Sequence, residues 1–158
     1  MALVVTTDKV YNAFYTDYSE GKAFMHSHTY SGNPLACSAA VEVLKILKDE
    51  DTLGIANKNA KYFNMLIKEK LSDHRYVGDI RSIGLINAIE LAKDKNTKQP
   101  FEGKYRYGYQ IYKKALKKGV LLRPLGDVLY FNPPLIISRE DMKFVVDVCT
   151  ECIKEVLD

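Results

Sequence analysis

The chain has 158 residues, of which 47% are hydrophobic and 27% are charged, and its formal net charge is +3. This is the composition of an ordinary folded domain, it argues against disorder, and the small positive excess gives no reason to expect a nucleic-acid or membrane partner. Three cysteines are too few for a disulfide framework. The chain also has no signal-peptide pattern and no apolar run of about 18 residues. Together these features predict a cytoplasmic protein.

The first half of the chain resembles the edge of a larger structure. Residues 1–7 are rich in branched side chains and predict a β-strand, and residues 8–18 predict a short helix. A strand with no lead-in suggests that Met1 begins a piece of a longer polypeptide. Residues 24–34 have neither helical nor strand periodicity and predict a loop.

Two helices are predicted next. Asn33-Pro34 is typical of an N-cap followed by the first residue of a helix, which extends to about Lys48. The apolar side of this helix has no evident partner, so it predicts self-association. Thr52 is the predicted cap of a second helix, which ends near Leu71. The apolar face of this helix is predicted to carry Ile55, Tyr62, Leu66 and Leu71.

The remaining residues predict a small antiparallel sheet covered on one face by helices, an α+β unit. Residues 83–91 alternate as a strand, and a helix over 105–118 ends at Gly119. Strands are predicted at 120–122 and 128–131, around a turn at 124–127. Ser138 and Asp141 resemble a capping box. The inner side of the final helix is predicted to carry Phe144, Val145, Val148, Cys149, Cys152 and Val156.

The densest group of functional side chains lies in the loop from His26 to Gly32. It contains two imidazoles and three hydroxyls, and hydroxyl and backbone donors before a glycine suit an oxyanion such as phosphate. A merely solvated polar turn is the alternative. A zinc site is disfavoured because His26 and His28 have no further ligand nearby.

Arg123 is the second candidate, because an arginine at a strand end, held by a following proline, can offer two parallel donors to a carboxylate. A solvated turn arginine remains open. Arg81 beside Asp79 predicts a structural ion pair. Other conspicuous groups are assigned to structure: the cysteine pair to a helix interior, the tyrosines to packing and the lysines to a solvated helix face. These residues are Cys149, Cys152, Tyr105, Tyr107, Tyr109, Tyr112, Lys113, Lys114, Lys117 and Lys118.

Two segments together resemble class III aminotransferases, enzymes of fold type I that depend on pyridoxal 5′-phosphate (PLP). Residues 24–37 read FMHSHTYSGNPLAC, and the family has H-x-x-T-x-x-G-N-P-L-A there. Residues 122–126 read LRPLG, and residues 130–135 read YFNPPL, similar to the members of the family that act in biotin biosynthesis. The resemblance implies that residues 1–50 end the large PLP-binding domain and that residues 51–158 form the small domain.

The resemblance also implies site residues. Thr29, with His28 and Ser27 beside it, is expected to bind the phosphate of the PLP held by the neighbouring subunit of a homodimer. Arg123, with Tyr130, is expected to bind the carboxylate of the keto acid 8-amino-7-oxononanoate. The loop departs from the family at Ser27, where glycine is frequent, and at His28, where proline is frequent. The backbone donors there are consequently less secure than the Thr29 hydroxyl.

No residue of this chain matches the Schiff-base lysine of the family or the aspartate that pairs with the pyridine nitrogen. We therefore expect an aminotransferase fragment that is inactive alone and has no catalytic residue of its own. The parent would transfer an amino group from S-adenosylmethionine, or in a variant from lysine. Other class III substrates (ornithine, GABA or lysine) and a non-catalytic binding or oligomerisation domain are the alternatives. No metal is implied.

Overall fold

The computed structural model describes residues 2–158. The chain forms two compact units, and the boundary between them lies between Asp49 and Glu50. The first unit consists of helices and loops. The second contains a four-stranded sheet and three helices, which confirms the predicted α+β class.

The strand predicted over residues 1–7 is wrong for the part that the structure describes, and Met1 lies outside it. Residues 2–7 form no strand, and Val4 and Val5 are 87% and 82% exposed. Branched side chains favour extended backbone, but a strand also needs a second strand to accept its hydrogen bonds. The predicted helix over 8–18 is shorter than expected, because α1 spans Asp8–Phe14 and a 3₁₀ turn follows at Tyr18–Glu20.

The second helix, α2, spans Pro34–Asp49 and begins as predicted. The backbone N–H of Ala36 donates to the Asn33 side-chain oxygen at 3.1 Å, which is the expected N-cap bond. Many apolar side chains of α2 are at least 43% exposed within the described chain. They are Leu35, Val41, Val43, Leu44 and Ile46.

In the second unit, α3 spans Thr52–Leu71, but the predicted cap is wrong. Asp51 holds the N-cap position with a left-handed backbone (φ 48°), and Thr52 is the first helical residue and is buried. Of the predicted apolar face, Leu66 and Leu71 are buried and Tyr62 packs against the core, but Ile55 is 45% exposed. The side chains of α3 in the core are those of Ala56, Ala60, Phe63, Leu66, Ile67 and Leu71.

The single strand predicted over 83–91 is two strands, β1 (Val77–Ile83) and β2 (Ile86–Leu91). They form an antiparallel hairpin in which Ile83 pairs with Ile86. The chain reverses at Gly84, whose φ of 55° suits glycine. The turn is only two residues long, so the alternation of apolar and polar residues continues across it. The sequence pattern therefore could not reveal the turn.

The third helix of this unit, α4, spans Tyr107–Lys117, two residues later than predicted because Gly103–Tyr105 is a 3₁₀ turn. Its end is as predicted. Gly119 has φ 83°, its N–H donates to the Leu116 carbonyl at 3.1 Å, and the Val120 N–H donates to the Ala115 carbonyl at 2.9 Å. This pair of bonds is a Schellman motif.

The strand predicted at 120–122 lies further on: β3 is Arg123–Leu125 and β4 is Val128–Phe131. Val120 is held by the helix end, so it does not enter the sheet, and Gly126-Asp127 forms the turn. The strand order is β1-β2-β4-β3, all antiparallel. Pro124 is tolerated because β3 is an edge strand.

The last helix, α5, spans Arg139–Leu157 and has the predicted cap, since the Asp141 N–H donates to the Ser138 hydroxyl at 3.0 Å. Phe144 was wrongly placed on its inner side and is 49% exposed. Helices cover the sheet face that carries Ile89 and Leu129, both fully buried. No helix within residues 2–158 is long and apolar enough to span a bilayer.

Candidate active site

The loop before α2 is folded on itself by local hydrogen bonds. The His28 N–H donates to the Ser31 hydroxyl at 3.2 Å, and the Ser31 N–H donates back to the His28 carbonyl at 2.9 Å. Ser27 and Thr29 are exposed. Within residues 2–158 the Thr29 hydroxyl has no hydrogen-bond partner, so it is available to an external acceptor.

The imidazole rings of His26 and His28 pack against each other, and the His26 ring also packs against Phe24. The His26 ring lies 5.2 Å from the His28 ring and 5.7 Å from the Phe24 ring, centroid to centroid. Among the described residues, no three His, Cys, Asp or Glu side chains converge on a point that could hold a metal ion.

The loop presents neutral hydrogen-bond donors at its surface. Its exposed hydroxyls at Ser27 and Thr29 are neutral donors of the kind that bind an oxyanion. The α2 N-terminus has one free backbone donor fewer, because the Ala36 N–H donates to the Asn33 side chain.

Arg123 and Tyr130, which belong to the second unit, are brought together by the sheet. They are directly opposite each other on β3 and β4, and the Arg123 guanidinium carbon lies 5.7 Å from the centre of the Tyr130 ring. Tyr130 pairs in turn with Ala88 on β2, and Ala88 pairs with Arg81 on β1, so these four residues form one row across the sheet. The row lies on the outer face of the sheet, opposite the helices, because neighbouring Leu129 and Ile89 point into the core.

The two arginines at the ends of this row differ in their partners. Arg81 donates to Asp79 at 2.9 Å and also to Glu90, which confirms the predicted ion pair and adds a second acid. The hydrogen bond to Glu90, followed by the one to Asp79, raises the pKa of Arg81. The hydrogen bond from Arg81 in turn lowers the pKa of Asp79. Arg123 is exposed and has no carboxylate partner within residues 2–158. It is the arginine of this face that is free to bind an external carboxylate.

One feature near Arg123 was not found from the sequence. The first turn of α4 packs directly on the Gly126-Asp127 turn, and the closest approach is at Gly108. A glycine in a helical first turn is a weak signal of close packing. Its partner turn lies 18 residues away, so periodicity could not locate it.

The remaining conspicuous groups are structural. Cys149 and Cys152 are fully buried, and burial raises the pKa of both thiols, so neither is an activated nucleophile. The predicted solvated lysine face is partly wrong, because Lys114 and Lys118 donate to Glu155 on α5 at 2.7 and 2.6 Å. The tyrosines pack among aromatic rings, as for Tyr107 against Phe101 at 4.7 Å.

Comparison with known proteins identifies the class. Residues 1–155 match the family model described as aminotransferase class III, and the chain belongs to this family. Similar proteins include the adenosylmethionine-8-amino-7-oxononanoate aminotransferase of Methanocaldococcus jannaschii, 39% identical over 155 residues, and that of Aquifex aeolicus, 42% identical over 158 residues. Each alignment covers 98% of this chain and, respectively, 33% and 34% of the relative. The chain therefore spans about a third of the length of these relatives.

Solved structures agree with this assignment. The crystal structure of the M. jannaschii enzyme has a TM-score of 0.87 and 38% identity, over 97% of this chain and 35% of that one. A PMP-bound aminotransferase from Vibrio fluvialis has a TM-score of 0.80 and 27% identity, over 87% of this chain and 30% of that one. The resemblance inferred from the two sequence motifs is thereby confirmed at the level of the family and the fold.

Proposed function

We propose that this chain supplies the C-terminal part of a PLP-dependent aminotransferase of biotin biosynthesis. The reaction transfers an amino group to the ketone of 8-amino-7-oxononanoate and gives 7,8-diaminononanoate. The observation that carries the proposal is Arg123, an exposed arginine without an acidic partner in the described chain, beside Tyr130. A substrate with a free carboxylate at the end of an apolar chain requires such a group.

Arg123 holds the substrate carboxylate in this account. Its planar guanidinium offers two parallel N–H donors, which fix the orientation of the carboxylate as well as neutralise its charge. Tyr130 packs its ring beside the guanidinium and limits the directions in which Arg123 can point. Arg81 is less suited to this role, because two carboxylates, those of Asp79 and Glu90, already pair with its guanidinium through one terminal nitrogen.

Thr29 donates its hydroxyl to the cofactor phosphate of the neighbouring subunit, with Ser27 and His28 beside it. Bound PLP supplies the electron sink through which the amino group passes from donor to acceptor. The covalent lysine comes from residues outside this chain, so the 158 residues contribute binding groups and no catalytic residue. Residues 1–50 then belong to the large domain and residues 51–158 to the small domain of a cytoplasmic homodimer. S-adenosylmethionine is the proposed amino donor.

The test uses an exchange enzyme, defined as the M. jannaschii relative with its matched third replaced by this chain. It is assayed with 8-amino-7-oxononanoate and either S-adenosylmethionine or lysine as donor, and separately with ornithine and GABA as substrates. We expect 7,8-diaminononanoate as the product. Turnover confined to ornithine or GABA would assign a different class III reaction. A folded dimer that binds PLP but transfers no amino group would favour the non-catalytic domain.

A further inference from the structure

The first turn of α4 approaches the β3–β4 turn too closely for any side chain at Gly108. A Cβ atom built on Gly108 would lie 2.2 Å from the Gly126 carbonyl oxygen and 3.4 Å from the Pro124 Cβ. The first of these is about 1 Å shorter than a carbon–oxygen contact allows. Glycine at 108 therefore permits a backbone contact that alanine would force apart.

Asp127 fixes the same turn from two sides. Its side-chain oxygen accepts a hydrogen bond from the Gly108 N–H at 3.4 Å, in the first turn of α4. Its carbonyl accepts from the Leu91 N–H at 2.9 Å, at the end of β2. The β3–β4 turn is thus attached both to a helix and to the neighbouring strand.

The position of this turn determines where Arg123 lies. Only Pro124 and Leu125 separate Arg123 from Gly126, and the proline ring fixes its own backbone. Pro124 faces α4, and Arg123 faces the opposite side of the sheet, as alternation in a strand requires. β3 has one neighbouring strand only, so a shift of the turn passes along a short, stiff edge to Arg123.

We infer that Gly108 and Asp127 are positioning residues that hold Arg123 in place for the carboxylate of the keto acid, an inference that rests on the proposed function. The contact acts from the helix side of the sheet, while the substrate binds on the outer side. Neither residue touches the substrate. Their effect is therefore confined to the substrate that Arg123 binds.

The test compares Gly108→Ala with Gly103→Ala in the exchange enzyme. Both substitutions add one methyl group, but a Cβ on Gly103 meets nothing within 4 Å. Alanine is the better helix former, so a loss in Gly108→Ala arises from the contact and not from helix propensity. We expect Gly108→Ala to raise the KM for the keto acid about tenfold, by analogy with the large cost of an ångström-scale misplacement. The KM for the amino donor and the kinetics of Gly103→Ala should stay within twofold of wild type.

A fall in the folded fraction changes kcat but not KM, so the split between the two substrates separates positioning from stability. If Gly108→Ala is insoluble, Asp127→Ala and Asp127→Asn decide. The alanine variant should raise the keto-acid KM, and the asparagine variant, which keeps an oxygen acceptor, should restore it. An unchanged keto-acid KM, or an equal rise for both substrates, overturns the inference. If Arg123→Lys also leaves the keto-acid KM unchanged, the proposed function fails with it.

Discussion

Replacing Arg123 by lysine tests the carboxylate assignment with the charge preserved. Arginine can donate two parallel hydrogen bonds to a carboxylate, and lysine binds it as a single point charge. One charge-assisted bond contributes about 1.5–3 kcal/mol, and each 1.4 kcal/mol corresponds to a factor of ten. We therefore expect Arg123→Lys to raise the KM for 8-amino-7-oxononanoate roughly 10- to 150-fold. Tyr130 remains beside the lysine, so the apolar surroundings are little changed.

The assay is steady-state kinetics of the exchange enzyme with each substrate varied in turn. Arg81→Lys is the matched control, because Arg81 lies in the same row of the sheet but donates to Asp79 and Glu90. The Arg81→Lys substitution should leave the KM for the keto acid within about twofold of wild type, since solvent-exposed ion pairs are weak. An Arg123→Lys enzyme with wild-type KM for the keto acid, or an Arg81→Lys enzyme with the larger defect, would refute the reasoning.

Four further outcomes are expected. Thr29→Val should weaken PLP binding in the exchange enzyme by about 1.5–3 kcal/mol, measured by titration of PLP, and equal affinities would contradict the phosphate assignment. The 158-residue chain alone, mixed with PLP and both substrates, should transfer no amino group. Gly119→Ala should lower the unfolding free energy of the chain in urea by about 1–2 kcal/mol, because φ is 83° there, and Gly103→Ala should not. Hydrogen bonds from Lys114 and Lys118 lower the pKa of Glu155 to about 2, below its usual 4.5, so Glu155→Gln should destabilise the chain at neutral pH. This stabilisation is lost as pH falls towards 2, and salt should shrink it because the side chains are exposed.

The sequence predicted best the elements whose boundaries are encoded by neighbouring residues. The Asn33 and Ser138 caps and the Gly119 helix end each depend on hydrogen bonds within a few residues. The two segments that carry the family resemblance are also local. The class of fold, the family and the juxtaposition of Arg123 with Tyr130 could therefore be anticipated.

The errors arose where tertiary contacts decide. The branched residues at Val4 and Val5 indicated a strand, but within residues 2–158 no strand pairs with them. Ile55 was wrongly assigned to the buried face of α3 because it is adjacent to the buried Ala56, and only packing distinguishes the two positions. The hairpin that reverses at Gly84 was predicted as one strand, because the apolar alternation continues across its short turn.

The same limit applies to the candidate site. The contact of Gly108 with the turn after β3 joins residues that are 18 positions apart, through backbone atoms without any side-chain signature. A sequence can show that a glycine stands in the first turn of a helix. It cannot show what approaches that glycine.

A crystal structure of the exchange enzyme with PLP and 8-amino-7-oxononanoate bound tests the central claim most directly. The account predicts that both terminal nitrogens of Arg123 lie within hydrogen-bonding distance of the substrate carboxylate. It also predicts that the Thr29 hydroxyl lies within hydrogen-bonding distance of the cofactor phosphate in the neighbouring subunit. A carboxylate bound elsewhere, with Arg123 facing solvent, would contradict it.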